Sequence, residues 1–333
     1  MAYTHSENKR LIPLYLQELF IQRTDETHYI TMKEIQSFLH TKNIYADRRT
    51  IYSAISLLNE ADFGIVGVHG KGEYKYHLPK RILDKNELKF LIDSIAASKF
   101  LTEKKSNELI KKVKSFGSSY EIDVFHRRIL HGKRIKTMND KVLKNLDSLY
   151  LAIERQKQIT FQYMRWNPQR KLEVQKAGKL YQVSPYGISL SEDNYYLIAY
   201  DSAADCLKHY RIDKMQAIRM TEESREGNAL FESFDIVDYS RKTFSMFGGR
   251  EEVVNMECPN RLIGAFIDRF GESAAIRPSF EKADYSIIRV AVNVSPQFFA
   301  WLFGLGQQVK LLSPDLVIAE YQKMLSEISA NYD

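Results

Sequence analysis

Residues 31–59 read TMKEIQSFLHTKNIYADRRTIYSAISLLN, and this stretch decides the predicted fold of the first part of the chain. Thr31 with Glu34 three residues later is a capping box, in which each side chain satisfies a backbone amide at a helix start. Asp47 is a suitable N-cap for a second helix over residues 48–59, whose apolar residues repeat at helical spacing. The stretch therefore predicts two helices joined by a short turn, a helix-turn-helix.

The sequence on either side extends this motif. Apolar residues at helical spacing between residues 7 and 22 predict a preceding helix that is kinked at Pro13 or begins there. Apolar and aromatic residues alternate on both sides of residues 70–72 (Gly-Lys-Gly), which is typical of a β-hairpin. The order helix, capped helix, turn, helix and hairpin predicts a winged helix-turn-helix over residues 1–80.

The second helix of this motif carries polar side chains off its apolar stripe. Arg can bridge O6 and N7 of guanine, and hydroxyl groups can reach phosphates or base edges. Lysines of the hairpin would contact the DNA backbone, which positions a protein without specifying sequence. The alternative is an ordinary solvated helix start beside a charged turn. The predicted DNA-binding residues are Arg48, Arg49, Thr50, Tyr52, Ser53, Lys71 and Lys75.

Charge and composition narrow the class of protein. Residues 1–136 carry 24 basic and 16 acidic side chains, whereas residues 137–333 carry 24 and 26. A basic front favours a polyanionic partner such as double-stranded DNA, although several of its lysines fit a solvated helix face. Two cysteines exclude a disulfide framework and a cysteine-rich zinc site. No apolar run is long enough to span a bilayer, so we expect a cytoplasmic protein without membrane contact. We also expect no bound metal and no cofactor.

The rest of the chain predicts three further segments. Helical spacing predicts a connector over residues 81–138. Short alternating strands with tight turns predict a small antiparallel barrel within residues 139–225. Residues 240–333 predict an α/β unit. Its predicted elements are a helix within Cys258–Asp268 with Pro259 near its first position, strands over 286–294 and 309–312, and helices over 296–303 and 314–332.

Aromatic and basic residues gather in the predicted barrel, where aromatic faces can stack bases and arginines can hold phosphates. Tyrosines also fill small barrels, so composition leaves a ligand pocket and a core both open. Arg211 either pairs with an acid such as Asp213 or Asp201, or faces a ligand. The group comprises Tyr163, Arg165, Ser184, Tyr186, Tyr195, Tyr196, Lys208, His209 and Arg211.

Sequence signals of catalysis are missing. The chain has no His-Glu-x-x-His motif, no glycine-rich phosphate loop and no Gly-x-Ser-x-Gly motif. Cys206 and Cys258 are interpreted as packed thiols. We therefore expect no enzyme activity and no catalytic residue.

Four stretches resemble the WYL domain, a family named for a Trp-Tyr-Leu triplet that is Tyr195, Tyr196 and Leu197 here. RRTIYSAISLL (residues 48–58) also resembles the recognition helix of bacterial WYL-domain transcriptional regulators, and residues 298–325 resemble their C-terminal extension. The four stretches are FQY (161–163), VSPYGI (183–188), NYYLIAYD (194–201) and YRIDKM (210–215).

The resemblance implies a Sm-like or SH3-like barrel that binds nucleic acid or another anionic effector, followed by an extension that contributes to a dimer. Carried over by position, the effector-facing residues are Tyr163, Ser184, Tyr186, Tyr196 and Arg211. With Arg165 and His209, they are the predicted effector-binding residues.

The sequence therefore predicts an α+β multidomain protein: a winged helix-turn-helix, a helical linker, a small barrel and an α/β extension. Its predicted function is that of a homodimeric, sequence-specific transcriptional regulator whose effector is single-stranded nucleic acid or a nucleotide. The alternative is a non-enzymatic accessory module that binds RNA or single-stranded DNA with the barrel directly. The aromatic residues Phe298, Phe299, Trp301 and Phe303 either form dimer contacts or fill their own core.

Overall fold

The computed structural model describes residues 9–70, 72–126, 136–231 and 235–332. Lys71, one of the predicted DNA-binding residues, lies outside the described residues. The chain forms two compact units, residues 1–138 and residues 139–333. Both units contain helices and antiparallel sheet, which confirms a mixed α and β chain with several sheets.

The first unit starts with helices and strands at the positions predicted from the sequence. Glu34 N–H donates to Thr31 Oγ1 (3.3 Å) and Thr31 N–H donates to Glu34 Oε2 (2.7 Å), which confirms the capping box. Asp47 accepts a hydrogen bond from Thr50 N–H at 2.8 Å and caps the next helix. The first helix has proline in its first turn, so Pro13 begins a helix rather than kinking one. The elements are α1 (Ile12–Arg23), β1 (Ile30–Thr31), α2 (Met32–Thr41), α3 (Arg48–Glu60), β2 (Val66–His69) and β3 (Tyr74–His77).

One hydrophobic core joins these elements. Leu16 and Phe20 of α1, Ile35 of α2, and Ile51 and Ile55 of α3 are buried in it. The three strands form a sheet in the order β1-β3-β2. Because α3 uses one face for this core, its other face is presented to solvent.

Three helices follow: α4 (Lys85–Ala97), α5 (Glu103–Lys114) and α6 (Ser119–His126). Hydrogen bonds tie this helical part to the preceding elements, because Ser118 Oγ donates to Asp25 Oδ2 at 2.8 Å. Burial alone would raise the pKa of Asp25, but hydrogen bonds from Thr27, Ser118 and His28 lower it to about 2. The Asp25 carboxylate is therefore charged at neutral pH and fixes the start of α6.

The second unit begins with a helix followed by an antiparallel sheet. Strand pairs run in the order β5-β4-β6-β7-β8, and β9 also pairs with β4. No pairing joins β8 to β9 within residues 136–231, so the sheet is open and the prediction of a barrel is corrected. The chain leaves β8 through a 3₁₀ turn, Ile212–Lys214, which carries β9 across to β4. The elements are α7 (Val142–Glu154), β4 (Lys157–Trp166), β5 (Leu172–Val174), β6 (Leu180–Ser191), β7 (Asn194–Asp201), β8 (Cys206–Arg211) and β9 (Met215–Ser224).

The last part of the chain forms a βαββαβ unit with a four-stranded antiparallel sheet in the order β11-β12-β10-β13. The elements are α8 (Asn228–Phe231), α9 (Ile236–Lys242), β10 (Arg250–Pro259), α10 (Ile263–Phe270), β11 (Ala275–Pro278), β12 (Tyr285–Val294), α11 (Pro296–Gly304), β13 (Lys310–Ser313) and α12 (Asp315–Ser329). None of the described helices is both long enough and apolar enough to cross a membrane.

Two sequence predictions for the second unit are corrected. Cys258 and Pro259 end strand β10 instead of opening a helix, and the helix starts at Ile263. Cys258 is buried, as expected, but Cys206 is exposed, so its interpretation as a packed thiol was wrong. Burial raises the pKa of the Cys258 thiol to about 11.

The aromatic run of α11 mostly fills its own core. Phe298 and Phe299 are buried, and Trp301 packs against the same hydrophobic cluster. Phe303 is 66% exposed. Three of the four side chains are therefore used inside the unit, and Phe303 is the one that α11 offers to solvent.

Candidate nucleic-acid interface and effector-binding face

Helix α3 presents most of the predicted DNA-binding residues on its solvent face. Arg48, Arg49, Tyr52 and Ser53 are exposed, while Thr50 is half-buried beside the Asp47 cap. Ile51, Ala54 and Ile55 are buried on the opposite side and anchor the helix. The structure therefore places two guanidinium groups at the exposed N-terminal turn of a firmly packed helix.

The strands β2 and β3 place an aromatic group next to this helix. Tyr52 of α3 and Tyr76 of β3 have ring centroids 6.5 Å apart, and Tyr74 lies edge-on to Tyr76 at 5.1 Å. Lys75, between the two tyrosines, is exposed. Burial raises the pKa of Tyr76, so its hydroxyl stays protonated and able to donate.

A basic groove of about 530 Å³ runs between the start of α1 and the start of α3. Lys9, Arg10 and Arg49 line it together with Thr50 and Ser53, and no acidic side chain is among its lining residues. Sequence reasoning missed Lys9 and Arg10. Their position near the predicted start of the first helix, in the basic first part of the chain, was the available signal.

Five predicted effector residues share one face of the sheet β4–β9. Antiparallel register pairs Tyr196 with Arg211 and His209 with Ile198, and side chains of paired residues lie on the same side. Ser184 and Tyr186 face the same segment of chain, because Ser184 Oγ accepts from Glu226 N–H at 2.8 Å and Tyr186 Oη donates to Glu226 O at 2.7 Å. We call this surface the effector face.

Arg211 is already paired on this face. Its Nε and Nη2 each lie 3.0 Å from a carboxylate oxygen of Asp213, and Nη2 also donates to Asn194 Oδ1 at 2.7 Å. Burial would lower the pKa of Arg211, but the hydrogen bonds to Asp213 raise it. Asp201, the other acid considered, pairs with Lys208 at 2.6 Å. The Arg211 side chain remains 38% exposed.

The other two predicted effector residues lie elsewhere. Tyr163 belongs to an aromatic cluster with Phe161 and Tyr210, and its Oη accepts from the backbone N–H of Arg211 at 3.0 Å. Burial raises the pKa of Tyr163 to about 12. Arg165 is exposed beyond the effector face and pairs with Glu173 at 3.1 Å.

The described residues of 226–247 lie over the effector face, and we call them the covering segment. The rings of Tyr186 and Phe231 stack with centroids 3.3 Å apart, and Ser189 Oγ lies 3.0 Å from Ser240 Oγ. A Cβ on Gly187 would come within 2.2 Å of Ile236 Cδ1, so the two segments approach closely. The effector face is therefore covered along most of its length, with Arg211 at an open edge.

His209 contributes no charge to this face at neutral pH. Burial lowers the pKa of His209 to about 4, and its ring stacks on Tyr239 with centroids 5.5 Å apart. Nε2 has no hydrogen-bond partner in the part of the chain that the structure describes. Positive charge at this face comes instead from Arg211 and from Arg225, whose guanidinium carbon lies 4.4 Å from the centre of the Tyr186 ring.

A comparison with known protein families identifies one domain in the second unit. Residues 144–220 match the family model of the WYL domain. This segment is a WYL domain. It comprises most of α7 and the sheet that carries the effector face, so the family assignment covers the predicted sensing part of the chain.

Comparisons of the whole chain give weaker likenesses. Proteasome accessory factor B/C (PafBC) of Arthrobacter aurescens aligns with 98% of this chain and 49% of its own, at 14% identity and a TM-score of 0.29. A CRISPR Cas-related protein aligns with 99% of this chain and 81% of its own, at 11% identity and a TM-score of 0.35. The chain thus spans about half the length of PafBC. Scores this low carry no argument about fold or function. No curated protein matches the chain.

The structure also identifies features around the WYL domain that the sequence prediction did not name. The covering segment is one, since its contacts with the effector face join residues about 40 positions apart, such as Tyr186 and Asn228 (2.8 Å). The loop after β4 is another, and it is strongly basic. Groups of three or more His, Cys, Asp or Glu that could hold a metal ion do not occur among the described residues.

Proposed function

We propose that this protein is a dimeric, sequence-specific transcriptional regulator that does not act as an enzyme. In this proposal residues 1–80 form a winged helix-turn-helix that binds double-stranded DNA, and residues 81–138 connect it to the rest. Residues 139–225 sense an anionic effector through the WYL domain, and residues 240–333 contribute to the dimer.

The exposed face of α3 is the observation that carries the proposal. Arg48 and Arg49 project from the first turn of a helix whose opposite face is buried, and this is the part of a recognition helix that reaches base edges. Lys9 and Arg10 in the basic groove, and Lys75 on β3, flank it with charges suited to phosphates. A helix with arginines at its tip and cations on both sides fits a major groove.

Effector sensing is proposed at the open edge of the effector face. The fork of Arg211 that now holds Asp213 has the geometry that binds a phosphate group. An anionic effector would compete with Asp213 for this fork and would bind beside Tyr196. Since the covering segment packs on the same face, a ligand that binds better when the segment is displaced would shift the chain between two states.

Dimerisation follows from the requirements of DNA recognition. One winged module reads few base pairs, whereas a two-fold dimer reads two half-sites spaced about 34–36 Å apart or a multiple of that. We therefore expect full-length protein at micromolar concentration to scatter light as a dimer. A monomer under these conditions would contradict this part of the proposal.

Selection of duplexes from a random library tests the main proposal. Wild-type protein should enrich one motif, arranged as an inverted repeat, and Arg48→Ala/Arg49→Ala should enrich that motif far more weakly. Lys104→Ala/Lys112→Ala, which removes the same charge from exposed positions on α5, is the matched control and should enrich the wild-type motif. Absence of any motif, with tight binding to single strands only, would favour the accessory-module alternative.

A further inference from the structure

We propose that a cavity in the first unit, here called the apolar cavity, binds a small carboxylic acid with an apolar body. The cavity measures about 410 Å³, which lies within the range of pockets that bind small molecules. It is lined by α1, by the loop that follows α3, by the segment that joins β3 to α4, and by Phe116 after α5. The proposal goes beyond the proposed function, because the site lies outside the WYL domain and does not depend on DNA binding.

Apolar side chains form most of the lining of this cavity. Ile21 and Phe63 pack against the hydrophobic core of the unit, and Leu78 is buried in it. Ile82 and Phe116 are 84% and 45% exposed, so both keep apolar surface in contact with water. The apolar body of a ligand would remove this surface from water, which is favourable in proportion to the area buried.

The loop after α3 leaves room for a ligand. Asp62 and Gly64 have φ values of 58° and 87°, which turn the chain sharply after the helix. A Cβ added to Gly64 would meet no other atom within 4 Å, so neighbouring side chains do not pack against this residue. Because Ala61 and Asp62 line the cavity directly after α3, a bound ligand would contact the end of the helix proposed to read DNA.

Charge indicates which kind of apolar ligand fits. Two cations, Lys80 and Arg81, line the cavity together with one acid, Asp62. Lys80 is exposed and pairs with no carboxylate in the part of the chain that the structure describes. Asp62 is also exposed, so water screens its charge. A cavity with apolar walls and a net positive charge favours a ligand with one negative charge, because a few polar groups fix the orientation of a ligand in such pockets.

The guanidinium of Arg81 forms part of the wall of the cavity. The Arg81 side chain is only 5% exposed. Its Nη1 donates to Phe116 O at 3.2 Å, and its Nη2 donates to Ile21 O at 2.9 Å and to Thr24 O. Its Nε has no hydrogen-bond partner within the described residues, and Glu121 Oε2 lies 3.8 Å away. A buried N–H group without an acceptor is costly, so an acceptor supplied by a ligand would stabilise it.

The charge of Arg81 is only partly compensated by the protein. Burial lowers the pKa of Arg81, and the attraction of Glu121 and Asp25 opposes this shift without cancelling it. A neighbouring cavity that also includes Arg81 is lined by Asp25, Glu26, Asp84 and Glu121, and these acids would repel an anion. A carboxylate in the apolar cavity, in contrast, would supply both the missing charge and the missing acceptor.

Isothermal titration calorimetry of the full chain with octanoate tests the proposal. Octanoate should bind with 1:1 stoichiometry and a Kd of about 0.1–1 mM, which ten non-hydrogen atoms reach at ordinary ligand efficiency. Octan-1-ol has the same chain without the charge and should bind at least about 5-fold more weakly. Acetate has the charge without the chain and should not bind measurably. Absence of octanoate binding, or equal affinity for octanoate and octan-1-ol, would overturn the proposal.

Two kinds of variant test the cations and the apolar wall separately. Lys80→Gln should weaken octanoate binding by about 3- to 10-fold and reduce the preference for octanoate over octan-1-ol. Lys104→Gln removes the charge of an exposed lysine on α5, and as the matched control it should bind like wild type. Ile82→Ser/Phe116→Ser should weaken octanoate binding by about 10-fold or more, because both side chains would contact the apolar body.

Ile82→Ser alone keeps this test valid if the double variant folds poorly. Its side chain is exposed, so the single variant should melt with wild type, and it should weaken octanoate binding by about 3-fold. Wild-type affinity in both Lys80→Gln and Ile82→Ser would overturn the apolar cavity as the site.

The same titration separates this proposal from the proposed function. Arg48→Ala/Arg49→Ala and Arg211→Ala should both bind octanoate like wild type, because these residues do not line the cavity. Loss of octanoate binding in Arg211→Ala, with wild-type binding in Lys80→Gln and Ile82→Ser, would place the acid on the effector face and overturn the proposal. A failure of the duplex selection would leave the octanoate titration unchanged.

Discussion

Replacing Arg211 by Ala separates the structural role of this residue from its proposed role in binding an effector. The Asp213 side chain is only 5% exposed, and Arg211 donates to both of its carboxylate oxygens at 3.0 Å. Removing Arg211 leaves that carboxylate with Lys214, whose Nζ lies 3.3 Å away. The substitution therefore weakens the compensation of a buried charge without removing it completely.

The expected cost follows from this geometry. Removing one partner of a fully buried ion pair costs about 3–5 kcal/mol. Because Lys214 remains, and because Arg211 is partly solvated, we expect Arg211→Ala to lower the free energy of unfolding by about 1–3 kcal/mol. For a unit the size of residues 139–333, about 2 kcal/mol corresponds to a fall in melting temperature of about 4–8 °C.

Differential scanning calorimetry of the full chain measures this directly. Arg211→Lys keeps the positive charge but lacks the planar fork, and we expect its melting temperature to lie between those of wild type and Arg211→Ala. Arg165→Ala removes an arginine from the exposed pair with Glu173 and should cost less than about 1 kcal/mol. Equal melting temperatures for Arg211→Ala and Arg165→Ala would refute the reasoning about Asp213.

Three other predictions test packing, titration and capping. Gly187→Ala should destabilise the second unit by about 1–3 kcal/mol in urea unfolding, since its Cβ would meet Ile236, and adding Ile236→Ala should restore part of the loss. His209 has a pKa of about 4 when folded, so the unfolded chain binds more protons between about pH 4 and 6.5. The free energy of unfolding that is linked to His209, up to about 3 kcal/mol, is present in full above about pH 6.5 and is lost as the pH falls toward 4. His209→Gln should therefore flatten the dependence of stability on pH in this range. Thr31→Ala should cost about 1 kcal/mol in chemical denaturation, because α2 loses its cap; unchanged stability would contradict that role.

The helices α2 and α3 could be predicted because their signals are local. Thr31 with Glu34, and Asp47 before α3, satisfy backbone amides within three residues, so the sequence alone specifies both helix starts. For Arg211 the sequence left three options open: a pair with Asp213, a pair with Asp201, or a ligand. The outcome depends on the turn after β8, which brings the Asp213 carboxylate to the Arg211 guanidinium. No local sequence pattern specifies that geometry.

The features that escaped prediction depend on contacts between distant residues. The barrel was predicted from the number of strands. Closure of a barrel depends on whether β8 pairs with β9. The pairing that β9 does form is with β4, and it joins residues as far apart in sequence as Lys157 and Ser224. Strand β10 was missed because Pro259 was interpreted as a helix start, although Val254, Met256 and Cys258 alternate inward. The covering segment could not be foreseen, because no local pattern in the strands shows what lies on them.

The ratio of specific to non-specific DNA affinity tests the central claim most directly. With the selected duplex and a scrambled duplex at one salt concentration, wild-type protein should show a ratio of at least about 10³. Arg48→Ala/Arg49→Ala should lower that ratio by about 10-fold or more, because the bidentate hydrogen bonds to guanine are removed. Lys75→Ala should weaken both duplexes alike and leave the ratio unchanged. A double arginine variant that keeps the wild-type ratio would contradict the assignment of α3 as the helix that reads DNA.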